Sequence, residues 1–104
     1  MKNIGYKVVT QDMKSLGLRK NPNILQYKLG EWTILDSDNI RVGSSDFGGI
    51  WVARTSGQAR QLRGYMVKKH NTPTRIFEAE LGEILHRTDY RIKTDKVKLL
   101  EEID

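Results

Sequence analysis

The 104-residue chain carries 38% hydrophobic and 30% charged residues with a net charge of +5, a balance that fits one folded domain rather than a disordered chain or two independent cores. It has no cysteine, which excludes a disulfide scaffold, a thiol nucleophile and every cysteine-ligated metal site. Its apolar runs are a few residues long where a membrane helix needs about 20, and the opening Met-Lys-Asn-Ile-Gly-Tyr-Lys lacks a secretory apolar stretch, so the expected location is a cytoplasm.

Residues 4–9 mix β-branched and aromatic side chains, with Ile4, Tyr6 and Val8 on one face, and read as a strand. Thr10 is placed to cap a short helical turn over 11–16, closed by Gly17 in the left-handed conformation. Pro22 and its neighbouring asparagines make 19–23 a loop. Alternation over 24–29 puts Leu25, Tyr27 and Leu29 on one face; beyond Gly30, Trp32 and Ile34 face together. The Asp-Ser-Asp-Asn of 36–39 is a turn, 40–42 a brief pairing segment, and 43–49, with three glycines, a flexible connection. Residues 50–53 are apolar on both alternating faces, as in a central strand covered on both sides.

Thr55 or Ser56 caps the one extended helix, predicted over about 57–70. Helical spacing gathers Ala59, Leu62, Tyr65 and Met66 on an inward arc and turns Arg60, Arg63 and Val67 away from it. Pro73 ends the helix. Residues 75–81 return as a strand with Phe77, Ala79 and Leu81 inward and Glu78 and Glu80 outward, and 83–85 extends it. Residues 88–95 are polar and turn-like; 97–103 closes the chain as a strand in preference to a marginal terminal helix. The expected fold is α+β: a single small sheet, mainly antiparallel or mixed, with one principal amphipathic helix packed on it.

Charge is unevenly spread. Segment 47–77 holds Arg54, Arg60, Arg63, Lys68, Lys69 and Arg75 without one Asp or Glu, whereas 1–46 nets +2 and 78–104 nets −3. Such asymmetry implies an anionic partner, either an acidic protein surface or nucleic acid. The expected partner-binding residues are Arg54, Arg60, Arg63, Lys68 and Lys69, with Trp51 or Tyr65 adding stacking where exposed.

Complete catalytic and metal motifs are missing. The glycine-rich 43–49 loop lacks the Gly-Lys-Ser/Thr ending of a phosphate loop and precedes a strand instead of a helix. Asp36 and Asp38 begin like a calcium loop, but Ile40, Arg41 and Phe47 stand where ligands and the obligatory glycine belong. His70 and His86 sit in no zinc-binding spacing, and Ser44, Ser45 and Ser56 lack a nucleophile elbow. Glu78 and Glu80, two apart on one strand face, stand within about 7 Å of each other, close enough for acid–base work if a cleft receives them.

Three stretches carry a resemblance. Residues 6–9 with 25–32 (LQYKLGEW), 48–54 (GGIWVAR) leading into the helix, and 81–84 (LGEI) with 93–103 (KTDKVKLLEEI) resemble a family of small, uncharacterised proteins common in phages and prophages. That resemblance implies a compact α+β domain from a mobile element. The order of elements is also loosely similar to a reduced ADP-ribosyltransferase fold. It implies a nucleotide cleft in which Tyr27 matches the aromatic position and Glu78 or Glu80 the late glutamate, with Trp32 alongside. Tyr6 and Lys7 depart from that pattern, standing where His or Arg is expected.

The leading expectation is a non-enzymatic binding protein without metal or cofactor, an inhibitor of a host or defence component, that uses its basic helix face. The alternative is a degenerate ADP-ribosyltransferase-like domain that binds or processes NAD or another nucleotide.

Overall fold

Two eight-residue strands, β1 (Asn3–Thr10) and β4 (Thr74–Leu81), pair antiparallel along their whole length and form the middle of the fold. The computed structural model describes residues 3–16, 24–45 and 47–103. Around the central pair lie β2 (Trp32–Ile34), β3 (Ile50–Ala53), β5 (Ile84–Arg87), β6 (Arg91–Thr94) and β7 (Lys96–Glu102). They build one seven-stranded sheet in the order β2-β7-β4-β1-β3-β6-β5, with every ladder antiparallel. One helix, α1 (Ser56–His70), packs on β1, β3 and β4. The fold is α+β, as the periodicity implied.

Local chemistry sets the ends of α1. The Thr55 hydroxyl accepts from the Gln58 amide at 3.1 Å while the Gln58 side chain accepts from the Thr55 amide at 3.1 Å, a reciprocal capping box. At the other end Asn71 adopts φ 50°, its N–H returning to the Val67 carbonyl at 3.0 Å, and Pro73 follows.

One helix cannot cover both faces of seven strands, and two cores result. Val8 of β1 and Ile76 of β4 are buried against Ala59 of α1, with Tyr6, Ala53 and Leu62 packed against them. The opposite face buries Val9, Ile50, Val52, Phe77, Ala79, Leu81, Val97 and Leu99. What covers it is an irregular segment. Tyr27 and Leu35 are buried there, at 2% and 6% exposure, with Leu25 and Met13 half-buried beside them. Burying a side chain such as Tyr27 or Phe77 is worth about 2–3 kcal/mol. Backbone bonds stitch the segment down: Tyr27 N–H to Met13 O at 2.8 Å, Ser15 N–H to Leu25 O at 3.0 Å and Gly30 N–H to Leu99 O at 2.8 Å. No described helix is long and apolar enough to cross a membrane.

Several expectations need correction. Residues 11–16 hold a tight turn, not a helical one: the Thr10 hydroxyl accepts from the Lys14 amide at 3.0 Å and Met13 takes φ 65°. Gly17 and the 19–23 loop lie outside the described residues. Residues 24–29 contribute only isolated bridges at Gln26 and Leu29. Leu29 stays 57% exposed, away from buried Tyr27. Tyr65, expected inward, is 47% exposed and stands edge-on to His70. The 43–49 connection is closely packed at its end, at Gly48 and Gly49, while Ser44, Ser45 and Phe47 are exposed. Gly48 is buried at φ 84°, and a Cβ there would meet Arg41 Cβ at 2.4 Å; at Gly49 it would meet Lys93 Cγ at 2.4 Å. Residues 88–95 contain a strand, β6, because the charged face of Arg-Ile-Lys-Thr is covered rather than solvated, with Lys93 fully buried.

Candidate functional site

The strand pair β1–β3 differs from its neighbours. Its ladder is held at Tyr6–Ala53, and beyond that point a side chain replaces the backbone: Lys7 Nζ donates to the Trp51 carbonyl at 2.9 Å. A cavity of about 440 Å³ opens here. It touches Tyr6, Lys7 and Val8 in succession along β1 and Ile50, Trp51, Val52 and Ala53 along β3. Successive strand residues point to opposite faces, so a cavity that meets them all lies in the gap between the strands. Leu62, Gln58 and Gln61 of α1 border it on one side, and Ser15, Leu25, Tyr27 and Leu35 on the other.

The lining has a simple electrostatic character. It contains two cations, Lys7 and Arg91, and not one Asp, Glu or His among its described residues. Burial pushes the Lys7 ammonium down from 10.5 to about 8, because the charged form loses water. Its nitrogen sits 5.5 Å from the Tyr27 ring centroid. Burial also drives the Tyr27 phenol up to about 12, partly opposed by its hydrogen bond with Ser15. Arg91 lies 3.9 Å from the Trp51 ring centroid, stacked at cation–π distance. The arrangement offers an apolar slot with aromatic walls and two cationic groups, suited to an anion bearing a flat or apolar body.

The expected basic face is dispersed. Arg60, Lys68 and Lys69 are exposed on α1 and Arg54 just precedes it, its guanidinium donating to the Thr88 carbonyl at 3.0 Å. At a helical rise of ~1.5 Å per residue, Arg54 and Lys68 stand about 20 Å apart. Arg63 is not presented outward. Half-buried, it donates to the Thr74 hydroxyl at 3.3 Å and the Thr74 carbonyl at 3.2 Å and so fastens α1 to β4. Arg75, from the same acid-free segment, is engaged by Glu102 in a two-point pair at 2.7 and 3.0 Å. Arg75 and, more weakly, Arg63 hold the Glu102 carboxyl below its usual value.

The expected nucleotide cleft of Tyr27, Trp32, Glu78 and Glu80 does not assemble. Glu78 lies opposite Tyr6 and Glu101, and Glu80 opposite Ile4 and Lys98, on the face of β4 shared with Ile76 beneath the helix. Tyr27 packs against Phe77 and Ala79 on the other face. Trp32, on edge strand β2, pairs across from Lys98 and lies 4.5 Å from Lys96 Nζ. Of the four, Tyr27 alone lines the cavity.

Lys7, Tyr6 and Arg91 are the site residues that the basic-segment reading passes over. One signal was available for Lys7: a lysine alternating with Gly5 and Val9 inside a strand too apolar for an edge. The turn by Asp36 and Asp38 is stabilised from within, the Asp36 carboxylate accepting from the Asp38 amide at 3.2 Å. No group of three or more metal-ligating side chains occurs among the described residues. Compared with protein-family models, curated proteins and solved structures, the chain finds no match.

Proposed function

We propose that the chain is a non-enzymatic binding protein for an anionic ligand with an apolar body, taken into the β1–β3 gap and not onto the outer face of α1. One observation carries the reading: the cavity is bordered by Lys7 and Arg91 with no acidic side chain among its described lining residues. A bound carboxylate, sulfonate or phosphate supplies a counter-charge to Lys7, and its apolar part replaces water against Val52, Leu35 and Trp51. Inhibition of a host or defence component, the leading expectation from the sequence, would then depend on the ligand this protein withholds or presents.

Titration with 1-anilinonaphthalene-8-sulfonate, an aromatic anion, tests the reading. Saturable one-to-one binding is expected, with Lys7→Met and Arg91→Gln each weakening it about tenfold, as loss of one charge-assisted contact does. The triple change Arg60→Gln/Lys68→Gln/Lys69→Gln leaves it unaltered. Equal affinity in all these variants refutes the reading.

A second reading has its own support. Arg54, Arg60, Lys68 and Lys69 remain exposed, and they fit nucleic acid or an acidic protein surface. Four phosphate contacts would give a log–log salt slope of about −3 to −4. Oligonucleotide binding with that slope, lost in the triple variant and kept in Lys7→Met, would favour it. Nucleotide binding in the cavity remains within the first reading; processing of NAD by Glu78 or Glu80 has no geometric support, since neither borders the cavity.

A further inference from the structure

We propose that Lys7 is a carbonyl-trapping amine, whose Nζ condenses with an aldehyde or ketone on an anionic ligand seated between β1 and β3. The proposal rests on the cavity reading above and adds a covalent step to it. Its basis is where the amine stands. The Lys7 stem runs between strands, its nitrogen reaches the Trp51 carbonyl at 2.9 Å, and the described walls of the space it borders are Val52, Ile50, Leu35 and the Tyr27 ring.

An amine becomes a nucleophile when it is unprotonated, and a carboxylate partner would prevent that by holding it as ammonium. Among the described residues, the groups facing the cavity from each packed element are Tyr6 on β1, Tyr27 on the irregular segment, Tyr90 and Arg91 from the β5–β6 turn onward, and neutral Gln58 and Gln61 on α1. None of these is an acid of carboxylate strength. The lowered lysine value of about 8 agrees with this placement. Arg91 has a separate task, to hold the anionic end of the ligand while the carbonyl end meets Lys7.

The step balances without a further reagent. The Nζ lone pair forms a bond to the carbonyl carbon, and the C=O π pair moves to oxygen, which takes one of the two protons of the amine. The resulting carbinolamine breaks its C–O bond as that oxygen takes the one proton left on nitrogen and departs as water, and the nitrogen pair closes a neutral C=N bond. Nothing is oxidised or reduced, and one water leaves for each imine formed.

The test uses 4-carboxybenzaldehyde, a flat anionic aldehyde, on the intact chain at pH 8 with sodium cyanoborohydride to fix any imine, followed by peptide mapping. Lys7 is expected to be labelled about tenfold or more faster than Lys68 or Lys69, since a larger share of it is unprotonated. The non-reactive 4-carboxybenzyl alcohol should protect Lys7 selectively in the same chain, an outcome that needs no variant to fold. Lys7→Arg, which keeps the charge, should bind the alcohol and lose the adduct. Uniform labelling of all lysines with Lys7-dependent binding of the alcohol overturns the imine and leaves the cavity reading standing. Uniform labelling with no binding of the alcohol overturns both.

Discussion

Replacing Lys7 by methionine should make the protein more stable near neutral pH and erase a pH dependence that the parent chain shows. Burial lowers the Lys7 value from 10.5 to about 8. A base with a depressed value in the fold is bound to fewer protons there than in the unfolded chain between those two values, so stability rises with pH across that window. The limiting slope is about 1.4 kcal/mol per pH unit, and from pH 7 to pH 10 the gain is about 2–3 kcal/mol. At pH 7 the penalty is present in full. Methionine keeps a stem of similar length and removes that penalty, while losing the hydrogen bond to the Trp51 carbonyl, worth roughly 1 kcal/mol. The net expectation at pH 7 is a stabilisation of about 2 kcal/mol. Tyr27 bounds the range of the measurement. Its value is raised to about 12, so its contribution is complete below the unfolded value near ~10 and is lost as the pH climbs towards 12. Urea unfolding followed by far-ultraviolet circular dichroism at pH 7, 8, 9 and 10 measures the difference. Parallel pH curves for the parent chain and Lys7→Met would refute the account of Lys7 as a desolvated cation.

Three further perturbations test the surroundings of the site. Gly48→Ala places a methyl group at φ 84° and 2.4 Å from Arg41 Cβ; a loss of about 2 kcal/mol or more in urea unfolding is expected. Lys93→Ala empties the fully buried space beneath Gly49 and removes the donor to the Gly43 carbonyl at 3.1 Å, so it should cost about 3 kcal/mol and speed proteolysis within 43–49. Unchanged cleavage would show that this connection is held by other contacts. Thr55→Ala breaks the capping box and should lower stability by about 1 kcal/mol in thermal unfolding.

The sequence was most readable where one physical requirement dominated. Thr55, Gln58 and Pro73 announce the ends of α1 because unpaired amides and a missing N–H act locally. The alternation of Phe77, Ala79 and Leu81 announces β4 because one face of it meets the second core. Strand β6 was not readable. Its Arg91 and Lys93 signal solvent by composition, yet Arg91 stacks on Trp51 and Lys93 is buried under the 43–49 connection, contacts set by residues far away in the chain, 50 positions for Lys93 and Gly43. Likewise Tyr27 was expected in a strand, and it is instead the plug of an irregular cover over a sheet that has a single helix to share. Of the candidate site, the want of acids in 47–77 was visible in the residue order; its cations, Lys7 and Arg91, lie outside that segment, and the gap that gathers them was not visible, since it arises where a ladder between β1 and β3 is interrupted.

The acid-free stretch from 47 to 77 acquires a different meaning once that gap is known. Its arginines are partly spent on structure: Arg63 on Thr74, Arg75 on Glu102 and Arg54 on Thr88. What the missing acids change most is the interior. The stretch supplies β3 and the first two turns of α1, and these form much of the cavity wall. A carboxylate at Gln58 or Gln61 would face the same space as Lys7 and would restore its ordinary protonation. Gln58→Glu would also meet the capping box, so Gln61→Glu is the cleaner comparison. A glutamate there should flatten the rise of stability between pH 8 and 10 and suppress both anion binding and carbonyl trapping together. A glutamate placed on the outer face of α1 changes none of the three, so coincidence of the three effects in Gln61→Glu separates the electrostatics of the cavity from the net charge of the chain.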